Sequence, residues 1–216
     1  AYALSSCLRK LEMAAEYGRS LVGGLPLLVR LLGSEDTDAQ AYAAAAISML
    51  AQDDSNVMVL TGEKVLPALA KLSTTSVDLV RKHLALAVAN VCRLGTNAED
   101  FGNMGAAVPL VEFLSSADRD VLKNTALALA ALTEEETNSA ELRSADAVTY
   151  LVDLLGSEEE EIQLAAARAI ANIRRNHLDA RERGLDLDNP FFMDFGVGVG
   201  PSDEHPLTPS SDWLEG

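Results

Sequence analysis

The sequence predicts an all-α chain, a solenoid of stacked helical units followed by a non-helical C-terminal tail, and three observations predict it. The stretch GAAVPLVEFLSSADRDVLKNTALALAALT at 105–133 recurs in altered form both before and after itself. The recurrence keeps a nearly constant interval: Pro26, Pro67 and Pro109 open matching apolar stretches, and Thr149 holds the same slot in a fourth. Every unit is built only of helical patterns, and a period of about 40 in such a chain is the signature of a helical repeat array.

Composition agrees. A solenoid has no single core, so length does not set a domain count. An apolar fraction of 48% with only 5% aromatics suits helices packed through Ala and Leu. Ser, Asp, Glu or Lys interrupts every apolar run before it reaches membrane-spanning length, so no direct membrane binding is expected. A net charge of -16 argues against nucleic acid and anionic lipid as partners, and the acidity serves solubility or a basic partner. Cys7 and Cys92 lie in apolar helical contexts and read as small core residues.

In chain order, residues 1–20 read as a partial unit. Cys7 falls where Ser48, Asn90, Ala131 and Asn172 fall later, so the first half of that unit would precede Ala1 and the chain is expected to be a piece of a longer array. Residues 21–183 hold about four units, with boundaries near 55, 96 and 137. In the first, LPLLVRLL at 25–32 precedes a helix over 39–50, with Gly33-Ser34 ending the earlier helix where a left-handed residue is tolerated. In the second, VLPALAKL at 65–72 precedes a helix over 80–92.

The third unit places Pro109 in a first helical turn, where its missing N–H has no partner to lose. Leu110, Phe113 and Leu114 then share one face, and Ser115-Ser116-Ala117-Asp118 breaks the helix and offers capping oxygens to the next, over about 120–132. In the fourth, AVTYLVDLL at 147–155 precedes a helix over 162–173. Asn56, Asn97 and Asn138 stand at a nearly equal distance ahead of Pro67, Pro109 and Thr149, each opening a shorter helical stretch that ends at Gly62, Gly105 or Ala145. That makes three helices per unit.

The acidic runs at 134–136 and 158–161 sit near helix starts, where carboxylates meet the positive dipole end; they read as solvated caps or as landing sites for a basic partner segment. Arg174 and Arg175, followed by Arg181 and Arg183, read as cations near a helix end or as a basic terminal face. From Gly184 the helical pattern stops. The tail, 184–216, carries seven carboxylates and no Lys or Arg, yet holds Phe191, Phe192, Phe195 and the sole Trp213. Such aromatics point to docking, either onto the last unit or onto another protein.

No catalytic constellation is visible. His83, His177 and His205 fall in a helix, a helix end and the tail, at no metal-ligand or nucleophile–base spacing. The glycines of GVGVG at 196–200 lack the flanking strand and helix of a phosphate loop. Neither enzyme activity nor a cofactor or metal is expected.

Period, proline position and the Asn-led short helix together make residues 1–176 resemble the armadillo family. The resemblance implies a right-handed α-solenoid whose longest helices line a concave groove, and a protein-binding function. Family members that clamp basic peptides, such as nuclear import adaptors, use an Asn ladder with Trp four positions earlier. The matching slots hold Ser48, Asn90, Ala131 and Asn172, preceded by Ala44, Leu86, Leu127 and Arg168, so half the Asn ladder is present and the Trp ladder is missing. Catenins clamp acidic peptides with groove cations, for which Arg81, Lys82 and Lys123 are the candidates. The groove candidates are therefore Arg81, Lys82, Asn90, Lys123 and Asn172; the end and tail candidates are Arg174, Arg175, Phe191, Phe192, Phe195 and Trp213.

A narrower resemblance lies at 166–175, where an Ala-rich helix runs into Asn172-Ile173-Arg174-Arg175 as in the final repeat of the armadillo subunits of the ciliary outer-dynein-arm docking complex. That family tethers dynein arms to doublet microtubules. It implies a non-enzymatic scaffold in the axoneme of a cilium or flagellum, with coiled-coil docking-complex subunits, dynein-arm components and tubulin as partners. The wider family implies the alternative of an adaptor holding an extended peptide, in nuclear import or catenin-like signalling and adhesion.

Overall fold

The computed structural model describes residues 24–184. The partial unit at 1–20 and the tail beyond Gly184 lie outside the described residues. Within them the chain forms α1 (Leu25–Leu32), α2 (Thr37–Leu50), α3 (Asp54–Gly62), α4 (Val65–Ala70), α5 (Asp78–Val91), α6 (Asn97–Asn103), a 3-10 helix η1 (Val108–Ser115), α7 (Arg119–Leu132), α8 (Glu136–Ser144), α9 (Ala147–Leu154) and α10 (Glu160–Glu182). The long helices pack in sequence, α2 on α5, α5 on α7 and α7 on α10, and the shorter helices form the layer behind them.

The long helices α2 and α7 start where a side chain caps them. Asp36 accepts from the Asp38 backbone N–H at 2.9 Å ahead of α2, and Asp118 accepts from Asp120 at 2.8 Å and Val121 at 3.4 Å ahead of α7. Such caps satisfy backbone donors that the first turn leaves without partners. Alanine then sets the spacing. Ala43, Ala44, Ala85, Ala126, Ala128 and Ala166 are all fully buried, and their small side chains let neighbouring helices approach closely while Leu50, Leu84, Leu129 and Leu132 fill what remains.

The end of each of α2, α5 and α7 is held by an asparagine of the next short helix. The amide Nδ2 of Asn56 donates to Leu50 O at 3.0 Å, that of Asn97 to Val91 O at 2.9 Å and that of Asn138 to Leu132 O at 3.1 Å. All three asparagines are buried. Each satisfies a carbonyl that the last helical turn leaves orphaned and fixes where the next helix begins. Asn138 also donates to Ala98 O at 2.8 Å, which joins two short helices of neighbouring units.

Three local expectations need correction. Gly33 is not left-handed, with φ of -88°. The left-handed residues that join the short helix to the next element are Lys64 (φ 62°), Gly105 (φ 69°) and Asp146 (φ 59°), each one repeat after the last, and glycine marks only one of them. The stretch after Pro109 is a 3-10 rather than an α-helix. Its three-residue repeat aligns Leu110 with Phe113 and Val111 with Leu114, and all four are buried.

The largest departure is α10, which does not close near Arg175 but continues to Glu182. Its second half has packing of its own: Asn176 donates to Thr133 O at 3.0 Å and to Ser139 Oγ at 2.8 Å, and Ala180 is fully buried. Arg174, Arg175 and His177 therefore lie inside the helix, and the cation in its last turn is Arg181.

Gly102 on α6 faces the Asn138 amide so closely that an added Cβ would sit 1.7 Å from Asn138 Oδ1. Gly102→Ala is expected to push that amide off both carbonyls and cost about 2–4 kcal/mol. In an Asn138→Ala background the same change should cost far less. Urea unfolding of the four chains measures this, and equal losses in both backgrounds would show that the two residues are not coupled.

Candidate functional site

Helices α5, α7 and α10 line a groove of about 500 Å³. Its floor is small and apolar, made by Ala89, Leu127, Ala130, Ala131, Leu164 and Ala165, and its rim carries Asn90, Arg93, Glu134, Glu161 and Arg168. Leu164 is 61% exposed, a large apolar side chain of the groove held open to solvent.

A polar ladder crosses beneath this face. Asn90 donates from Nδ2 to Ser48 O at 2.8 Å, Asn124 to Lys82 O at 2.8 Å, and Asn172 to Ala130 O at 3.2 Å and Thr133 Oγ1 at 3.3 Å. Each amide reaches from one long helix to the one before it. Asn90 is half-buried and reaches the groove wall, whereas Asn172 is 6% exposed and turned into the stack. Arg93 adds hydrogen bonds to Ala51 O at 3.2 Å and Gln52 O at 3.1 Å and an ion pair with Asp54 at 2.7 Å.

An ionic ladder runs in parallel. Lys82 on α5 pairs with Asp120 on α7, and Lys123 on α7 pairs with Glu161 on α10. The hydrogen bond from Lys82 holds the Asp120 carboxyl below the usual carboxylate range, and the hydrogen bond to Glu161 holds the Lys123 ammonium above the usual lysine range. Arg168 pairs with Glu134, and Arg183 with Glu136. Arg119 faces Glu158 at 3.9 Å and Glu159 at 3.7 Å. The acidic runs are thus bound into the stack as well as placed near helix starts; neither Glu135 nor Glu159 makes a side-chain capping bond.

The sequence candidates therefore divide. Asn90 lines the groove, and Lys82 and Lys123 stand on the same long helices with their charges engaged by the following unit. Arg81 lies behind, donating from Nε to Thr75 O at 2.8 Å and stacking on the Phe113 ring at 4.9 Å. Arg174 and Arg175 are exposed on a separate face of α10, in a cleft with Leu155, Ile170 and Leu178. Phe191, Phe192, Phe195 and Trp213 lie outside the described residues.

Side-chain type alone does not single out Arg93, Asn124 and Leu164 as site residues, whereas Glu134 and Glu161 belong to the acidic runs that the sequence offers as caps or landing sites. The repeat period is the signal that finds two of them, since Asn124 stands one period after Lys82, whose carbonyl it reaches, and Arg93 one period after Ala51. Among the described residues no group of His, Cys, Asp and Glu has metal-binding geometry, and no helix is long and apolar enough to cross a membrane. Cys92 is buried, and desolvation with the nearby Asp100 charge pushes its thiol far up, which suits a core position.

The armadillo/beta-catenin-like repeat family model matches residues 22–51 and 136–175. The chain is 41% identical over 116 residues to the armadillo repeat-containing protein gudu of Drosophila melanogaster, covering 54% of this chain and 17% of that protein. It is 42% identical over 97 residues to outer dynein arm-docking complex subunit 2 of Bos taurus, covering 45% of this chain and 9% of that protein. It thus spans less than a fifth of the length of either. Among solved structures it superposes on the designed armadillo repeat protein YIII(Dq)4CqI with a TM-score of 0.69 and 30% identity, covering 83% of this chain and 81% of the other. A related design, solved in complex with the peptide (KR)4, gives 0.67 and 28%, covering 83% and 82%.

The Lys82–Asp120 pair yields a pH dependence. A carboxyl held below its unfolded value stabilises the fold above about pH 4, and the contribution is lost as the pH falls through the lower folded value. Both side chains are substantially exposed, so the pair is worth about 0.2–1 kcal/mol. Asp120→Asn is expected to lower the thermal midpoint near neutral pH, with the gap closing as the pH drops below about 4. A gap that persists unchanged into acid would show that charge is not its source.

Proposed function

The chain belongs to the armadillo-repeat family, and on that premise we propose that this protein-binding scaffold works without catalysis in the axoneme, where it helps anchor outer dynein arms to doublet microtubules. The observation that carries the reading is the 42% identity over 97 residues to the bovine outer dynein arm-docking complex subunit 2. Its partners in this reading are coiled-coil docking-complex subunits, dynein-arm components and tubulin.

The mechanism is geometric. Stacked units hold several binding faces at fixed separations, since each unit contacts only its neighbours through a rigid interface. The groove suits a partner that brings apolar side chains, because its floor is Ala and Leu, Leu164 stands exposed, and the lysines of its long helices are already matched by carboxylates. A helix of a coiled coil offers such a surface. Asn90 and Arg168 then act as rim groups that position the partner, with the paired Lys82 and Lys123 on the flank, rather than as a charged clamp.

The second reading, an adaptor for an extended peptide, draws on the peptide complex of the related design. In this chain the amides of Asn90 and Asn172 are engaged with the neighbouring helix, which leaves fewer donors for a peptide backbone.

Affinity capture from ciliated-cell extract with the full chain as bait, compared with a Leu164→Glu/Arg168→Glu bait, separates the readings. Docking-complex coiled coils, dynein-arm components and tubulin are expected with the parent chain and should be lost with the groove variant. Recovery of import factors or junctional receptors in their place would overturn the axonemal reading. Equal recovery by both baits would remove the groove as the binding face.

A further inference from the structure

The exposed side of α10 is the face that every earlier long helix buries under its successor. Ala43, Ala85 and Ala126 are fully buried, and the matching Ala167 is exposed. Ala46, Val88 and Leu129 are fully buried, and the matching Ile170 is only half-covered. Leu50, Cys92 and Thr133 are at most 3% exposed, and the matching residue is Arg174, exposed. Around them Leu155, Leu178 and Arg175 complete a cleft of about 580 Å³. Leu155 is 41% and Leu178 43% exposed.

We propose that this cleft is the seat of the chain's own segment 190–195, PFFMDF, with its phenylalanines over Leu155, Ile170 and Leu178 and Asp194 toward Arg174 and Arg175. Two properties of the cleft select that occupant. The first is charge. Among the described residues Arg174 and Arg175 form no ion pair, while the segment from Gly184 onward carries seven carboxylates and no Lys or Arg. An aromatic run inside an acidic segment matches a floor of Ala, Ile and Leu edged by Arg174 and Arg175, while the carboxylates of Asp179 and Glu182 line the cleft toward the end of α10.

The second is reach. Helix α10 ends at Glu182 and Gly184 takes φ of 75°, a left-handed stop from which the chain can turn back along the helix. The stretch from Gly184 to Phe191 spans up to about 25 Å, while the cleft from Glu182 back to Ala167 is about 22 Å of helix. Phe191 therefore reaches as far as Leu178 and Ile170, and Phe192 and Phe195 have further chain in hand. Its attachment to α10 places it at high effective concentration there, so modest contacts suffice.

Chymotrypsin, which cuts after Phe, tests the seat on the full chain. Cleavage at Phe191, Phe192 and Phe195 is expected to be at least about tenfold slower than in a free peptide of the same sequence, because cutting requires the seated segment to leave. Arg174→Glu/Arg175→Glu, at exposed positions, should erase the protection while leaving the helical circular-dichroism signal of the array unchanged, and adding Asp194→Arg should restore it. Protection is expected to be independent of protein concentration. Cleavage as fast as in the free peptide, protection indifferent to the arginine variants, or protection that grows with concentration would each overturn the proposal; the last would assign the face to a second copy.

Discussion

The interaction on which the stack depends is the buried asparagine that closes the long helices. A helix end leaves carbonyls without intrahelical partners, and in an array such an end is covered by neighbours that water cannot enter. Asn56, Asn97 and Asn138 answer this at Leu50, Val91 and Leu132. Because the amide sits in the first turn of the following short helix, one hydrogen bond both ends one element and sets the start of the next. The same solution recurring in three units keeps their geometry alike, and like units stack.

Between units two kinds of contact share the work. Ala-rich faces bring the long helices together, and Leu, Val and Ile side chains fill the space between them. The asparagines Asn90, Asn124 and Asn172 then tie each long helix to a carbonyl of the one before it, which resists sliding that a smooth apolar face would allow. The exposed ion pairs add little stability each, but they leave the groove flank electrically matched in a strongly acidic chain.

Much of the fold is legible because the repeat announces itself four times. Proline at 26, 67 and 109, alanine at 43, 85, 126 and 167, and asparagine at 56, 97 and 138 all report the same period. What escapes are features that differ between units. Lys64 and Asp146 take the left-handed turn that glycine takes only at Gly105, since a single such residue is tolerated where the stack holds it. The extension of α10 to Glu182 depends on partners at Thr133 and Ser139, far away in sequence, which helical periodicity alone does not register. The groove is harder still. Side-chain type suggests free cations at Lys82 and Lys123, whereas their carboxylate partners, Asp120 and Glu161, belong to the following unit and become neighbours only when the units stack.

The arginine at 174 bears on growth. A solenoid whose two faces complement each other can in principle add copies of itself head to tail, an open association that ends in fibres rather than closed oligomers. The matching slot in the three earlier long helices holds Leu50, Cys92 and Thr133, all covered by the next unit. A guanidinium there would have to shed its water and lie against an apolar surface before another copy could join, a cost repeated at every interface. One cation in a slot otherwise kept for uncharged side chains thus sets an energetic cost against propagation on a face that the earlier units use for stacking.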